Sequence, residues 1–148
     1  MTAHTAEELE TEYPDAQLHI TSGGSTVAVT SDGDIISVCG KYGDTMRGRD
    51  LMKLAVENGG VKLDSYSGNH GFYVKCGFEP VSWCEWNDEY APNGWDSSRD
   101  KREPIVFYKY TGKVAPYSAE SLNVNNFISS IPASADYDAA KAKRDLSI

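Results

Sequence analysis

The densest run of chemistry-capable side chains lies between residues 83 and 102. Trp83, Trp86, Tyr90 and Trp95 are interleaved there with Asp88, Glu89, Asp96 and Asp100. Aromatic faces beside carboxylates attract a cation, through the ring quadrupole and through ion pairing. The same residue types anchor protein interfaces. They also suit a lid packed over a sheet edge, with Arg99, Lys101 and Arg102 neutralising the loop. The expected partner is an amine substrate or a basic protein, met through Trp86, Tyr90 and Trp95. His70 belongs to a residue type that titrates near neutrality, and a lone loop histidine is expected at the surface. No G-x-S-x-G elbow, Walker loop, H-E-x-x-H or EF-hand pattern occurs, so neither serine-hydrolase nor metal chemistry is expected.

Bulk properties narrow the partners. The chain has 148 residues, a net charge of −8 and a pI near 4.8. That balance disfavours binding to phosphate backbones, so nucleic acid is not an expected partner. Cys39, Cys76 and Cys84 form no C-x-x-C pair and are odd in number, against a disulfide framework or thiolate zinc site. All three lie in apolar segments and are expected as buried free thiols. With no apolar stretch of membrane-spanning length, the expectation is a soluble, cytoplasmic protein with no membrane partner.

The elements that must position these residues follow from pattern. Thr5 to Tyr13 reads as a short acidic helix with a Thr5–Glu8 capping box. Strands are expected over Gln17–Ser22, Ser25–Thr30 and Ile35–Cys39, with Gly23-Gly24 and Ser31-Asp32-Gly33-Asp34 as turns. A helix from about Arg47 to Asn58 carries Leu51, Leu54 and Ala55 at helical spacing and stops at Gly59-Gly60. Strands at Val61–Tyr66, Glu79–Trp86 and Pro104–Thr111 enclose a short helix within Ser67–Cys76 and a long polar loop. From residue 112 onward large apolar side chains thin out. That stretch is expected to be a flexible or peripheral tail holding at most a weak helix over Tyr137–Leu146.

One segment carries a family resemblance. Phe72-Tyr73-Val74-Lys75-Cys76-Gly77-Phe78 is similar to the F-Y-x-x-x-G-F block that closes the acetyl-coenzyme A site of GNAT-superfamily N-acetyltransferases. The order helix, three strands, helix, strand, helix, strand, strand resembles a GNAT core lacking its first strand and first helix. The implied fold is α/β: a mixed, mostly antiparallel sheet flanked by helices over residues 1–111. Short members of this kind resemble proteins carried by bacteriophages and mobile elements.

The resemblance implies the chemistry. Tyr73 becomes the acid that protonates the leaving thiolate, and Asp64 and Glu85 the carboxylates available to take a proton from the amine. The family's phosphate loop, roughly V-x-P-x-x-R/Q-x-x-G-x-G/A-x-x-L, is met by Val38, Gly48 and Leu51 with loop length preserved. Gly40, Gly43 and Met46 depart from it. Backbone N–H groups and a helix N-terminus would face the pyrophosphate there. Val38, Cys39, Arg47, Gly48 and Arg49 are thus the implied coenzyme A contacts, with Asn69 from the turn before Tyr73. The implied function is acetyl transfer from acetyl-coenzyme A to an amine. The alternative is a binding or inhibitor protein, such as a phage accessory or virion component, that keeps the fold without the chemistry.

Overall fold

The computed structural model describes residues 13–90, 94–100, 102–113 and 122–148. The helix expected over Thr5–Tyr13 and the Lys101 counter-charge fall outside them, as does the Tyr90 side chain. The structure is mixed α/β, with two three-stranded sheets where a single sheet is expected. Its contacts cluster into two units, residues 1–63 and 64–148.

The first unit is a meander. β1 (Gln17–Ile20), β2 (Thr26–Val29) and β3 (Ile35–Cys39) pair antiparallel in that order. Gly33 closes the second hairpin at φ 86°, and its N–H donates to the Thr30 carbonyl at 3.0 Å. A left-handed turn of this kind explains why glycine stands there. α1 (Gly48–Glu57) buries Leu51, Met52 and Ala55, and Val27, Val29, Ile35 and Leu63 are buried in the same unit. At its end Gly59 adopts φ 93° and the Gly60 N–H donates to the Ala55 carbonyl at 2.9 Å, the glycine stop expected from sequence. The chain then enters β4 (Lys62–Tyr66), whose Lys62 bridges Asp34 in parallel.

The second unit is built on β6 (Ile105–Tyr110), which lies between β4 and β5 (Phe78–Cys84). β5 and β6 are antiparallel, from Phe78 opposite Tyr110 to Cys84 opposite Ile105. The register slips between Pro80 and Ser82, beside the one strand residue with no N–H to give the ladder. Val106, Phe107 and Tyr108 are all buried, so β6 is covered on both faces. On one face α2 (His70–Lys75) sets Tyr73 5.7 Å from the Tyr108 ring and 6.3 Å from Phe78. Gly77 ends α2 at φ 90°.

The other face corrects the expectation of a peripheral tail. The segment after residue 121 forms α3 (Val124–Ser130) and α4 (Tyr137–Leu146). α4 seals the core: Ala140 is fully buried against Cys84 and Phe107. The Ser82 hydroxyl donates to the Ala140 carbonyl at 2.7 Å. Arg144 is also fully buried, its guanidinium 5.5 Å from the Phe107 ring centre and 3.0 Å from Asp145. Just before α4, Ser134 bridges Cys84 in parallel and donates to the Trp83 carbonyl at 2.9 Å.

Candidate functional site

In the first unit, the implied coenzyme A residues occupy one strand end and one helix start. Val38 and Cys39 close β3, and Arg47, Gly48 and Arg49 open α1, exposed. β3 is irregular at this end. Ala28 pairs with Ile36 and Thr26 with Cys39, so Ser37 and Val38 stand where one residue would suffice. Ser37 is buried at φ 54°, a conformation that a residue with a Cβ seldom adopts. This is a β-bulge, a device that re-aims a strand and recurs beside active sites.

The loop that follows is lined by its own anions. The Asp44 carboxylate accepts from the Thr21 hydroxyl at 2.5 Å and from the Met46 N–H at 3.0 Å. Hydrogen bonds from Ser25, Thr21 and the Met46 N–H hold its pKa down to about 2. The Asp50 carboxylate accepts from the Arg47 N–H at 3.0 Å. Two N–H groups that a phosphate would seek thus already face carboxylates. Arg47, Arg49 and Lys41 supply the opposing positive charge.

Tyr73 and Asn69 meet in the second unit. β4 sends buried Ser65 toward α2, where its hydroxyl accepts from Asn69 Nδ2 at 3.0 Å and shares a hydrogen bond with Tyr73. Tyr73 is buried, and burial pushes its pKa up to about 12; the phenol is neutral at physiological pH. His70 is not a surface residue. It is 3% exposed, with Nδ1 2.8 Å from the Tyr108 hydroxyl.

Asp64 and Glu85 face elsewhere. Strand alternation turns Asp64 away from Ser65, and its carboxylate accepts from the Tyr137 hydroxyl at 3.0 Å. Glu85 is exposed just past β5. It borders a cleft of about 670 Å³ whose walls include Tyr66, Trp86, Asp136 and Tyr137. Cys84 also lines it, its thiol pushed up to about 11 chiefly by burial.

The aromatic-acidic run of the sequence partly assembles at the rim. Trp86 lies 5.5 Å from the Tyr66 ring and 5.1 Å from Trp95, and its indole donates to Asp88 at 2.6 Å. Arg102 pairs with the same carboxylate at 2.9 Å and sits 5.2 Å over Trp95. Hydrogen bonds from Arg102 and Trp86 lower the Asp88 pKa. Arg99 and Asp100 pair separately at 2.9 Å, as the charge-neutralising reading of the loop requires. Trp83 leaves the group: it is buried and donates to the Ile131 carbonyl at 2.7 Å.

Cysteines and tail both differ from expectation. Cys39 is exposed and Cys76 half-buried, while Cys84 alone of the three is buried; all are free thiols. Sequence reasoning missed Ser65, Tyr108 and Tyr137. Tyr137 was expected at the start of a weak helix over Tyr137–Leu146, the bounds observed for α4, where the Asp136 N-cap accepts from the Ala139 N–H at 2.8 Å; its role beside Asp64 was not foreseen. Among the described residues no helix is long and apolar enough to cross a membrane. A scan of family models and comparisons with curated proteins and solved structures find no match to this chain.

Proposed function

We propose that this chain is an acetyl-coenzyme A-dependent N-acetyltransferase of the GNAT type, acting on an amine of a small molecule or protein. The observation that carries the reading is the bulge at Ser37–Val38. The chemistry asks for a backbone donor near Val38 that meets the thioester carbonyl, followed directly by a helix N-terminus. A buried serine at φ 54° interrupts the β2–β3 ladder at that place, ahead of α1. Such a conformation costs on the order of 1 kcal/mol and persists where its surroundings fix it, often at functional sites. The order of elements from β1 to β6 is the one the resemblance implies.

The cofactor contributes an activated acyl thioester. The residues fit it in part. Arg47 and Arg49 offer charge to phosphates, and the bulge offers re-aimed backbone. Asp44 and Asp50 oppose anions and hold two of the N–H groups. Within the chain, Glu85 serves as the group that takes a proton from an ammonium in the cleft. Tyr73 is a neutral phenol held by Ser65 and so carries a proton for the leaving thiolate, but burial raises its pKa to about 12, above that of an ordinary thiol, so the transfer runs uphill.

A second reading has its own observation. The two loop carboxylates and the burial of Tyr73 favour a protein that recognises an amine-bearing partner and performs no transfer. The test is calorimetry with acetyl-coenzyme A together with chromatographic detection of released coenzyme A in the presence of a mixed amine panel. Binding with amine-dependent release supports the transferase. Neither heat nor release at about 1 mM cofactor, the top of the ordinary KM range, would sink it and leave the binder.

A further inference from the structure

The cleft in the second unit has a composition that selects its ligand. Its charged lining is three carboxylates, Glu85, Asp88 and Asp136, against one guanidinium, Arg102. Arg102 is paired with Asp88, and one Asp136 oxygen caps α4. Glu85 has no hydrogen bond or ion pair among the described residues. Beside it stand the rings of Tyr66, Trp86 and Tyr137, the last tethered to Asp64 through its hydroxyl. One uncommitted carboxylate at the mouth of an aromatic-walled space answers a single positive charge on an apolar stem.

We infer that this cleft binds a primary alkylammonium group, with Glu85 as its counter-ion, Trp86 and Tyr66 along the stem, and Tyr137 of the C-terminal segment as the opposite wall. A free alkylamine and a lysine side chain present the same chemistry. A guanidinium would bring five N–H donors in one plane, more than one uncommitted carboxylate can receive. A polyamine would carry extra charge toward Arg102. The inference rests on the amine half of the reading above and is independent of acetyl transfer.

It is tested by binding alone, on the full chain without acetyl-coenzyme A. Tryptophan fluorescence, to which Trp86 at the cleft contributes, is followed while titrating Nα-acetyl-lysine methylamide, n-pentylamine and the uncharged Nα-acetyl-norleucine methylamide. The two ammonium ligands are expected to bind about tenfold more tightly than norleucine amide, and Glu85→Gln to remove most of that difference. Tighter binding of the lysine amide than of pentylamine assigns the site to a protein-borne amine. The reverse order assigns it to a free one. Equal binding of norleucine amide, an unchanged affinity in Glu85→Gln, or no response from any ligand to about 50 mM overturns the inference. Glu85 is exposed, so its replacement leaves the fold intact; a matching melting temperature verifies this. A silent acetyl-transfer assay beside positive ammonium binding would remove the transferase and keep the cleft.

Discussion

Tyr73 carries two roles that one substitution separates. Its ring packs among Phe72, Phe78 and Tyr108, and its hydroxyl bonds to Ser65. Tyr73→Phe keeps the packing, so stability should fall by only about 1 kcal/mol, the worth of one hydrogen bond. If Tyr73 is the acid of an acetyl transfer, kcat should drop about 10²- to 10⁴-fold with little change in coenzyme A affinity. A measured transfer rate indifferent to this change removes the role. Asp44 gives the complementary experiment. Asp44→Asn keeps an acceptor for the Met46 N–H, replaces the oxygen that takes the Thr21 hydroxyl with an amide donor, and removes a negative charge from the loop. Coenzyme A should then bind about three- to tenfold more tightly, read by calorimetry, since like charges at the loop otherwise repel phosphate. A binder that never takes the cofactor would show no such gain. Local chemistry of this kind was half legible in the chain. The F-Y-x-x-x-G-F run located α2, Tyr73 and the Gly77 stop. It gave no sign that Ser65 on β4 joins Asn69 to Tyr73, because a small polar residue in a strand has the same local pattern whether it faces core or solvent.

At the scale of elements, the six strands and the α1 and α2 helices were readable because each has its own period and punctuation. Ile35–Cys39 matches in its bounds, and the glycines at 33, 59 and 77 end or turn elements where expected. The tail was misjudged for a physical reason. α4 buries an alanine and a whole arginine, so its inner face is nearly invisible to a count of large apolar residues. Its start and end were nonetheless marked, by Asp136 as cap and by Leu146. Truncation after Lys113 should therefore destabilise the second unit by several kcal/mol, since Phe107, Cys84 and Ser82 lose their cover. Should that fragment fail to fold, Ala140→Leu supplies a milder probe. Overpacking against Cys84 and Phe107 should cost about 1–3 kcal/mol, seen as a shift in the denaturant midpoint. An unchanged midpoint in either variant would mean that α4 does not seal the sheet.

For the whole molecule, charge and burial set opposite edges of a pH window. Asp32 and Asp44 have pKa values lowered to about 2 by their hydrogen-bond partners, Thr30 and Lys62 for the first, Ser25 and Thr21 for the second. A carboxyl held down in this way favours the fold above the unfolded value near 4. That contribution is lost as pH falls toward 2. On the alkaline side, burial raises Tyr73 to about 12 and Cys84 to about 11, and raises Tyr108 further. Their contribution is whole below the unfolded values near 9 to 10 and drains away as pH climbs through the folded ones. Melting temperature should be flat from about pH 5 to 9 and fall on both sides. Phenolate absorbance should then show Tyr73 and Tyr108 ionising only as the second unit opens. Ionisation of all nine tyrosines near pH 10, with the fold intact, would contradict their burial.

The contrast between Cys39 and Cys84 makes the chain its own clock. A thiol reagent in excess should consume the exposed Cys39 within the mixing time. Cys84, roofed by Ala140 and held as an unreactive thiol, waits until the roof lifts. The slow phase of labelling then counts openings of α4 one by one. A ligand seated between Glu85 and Tyr137, on the lining that Cys84 shares, should stretch that phase without touching the fast one. The cleft would announce its occupancy through a sulfur atom that takes no part in recognition.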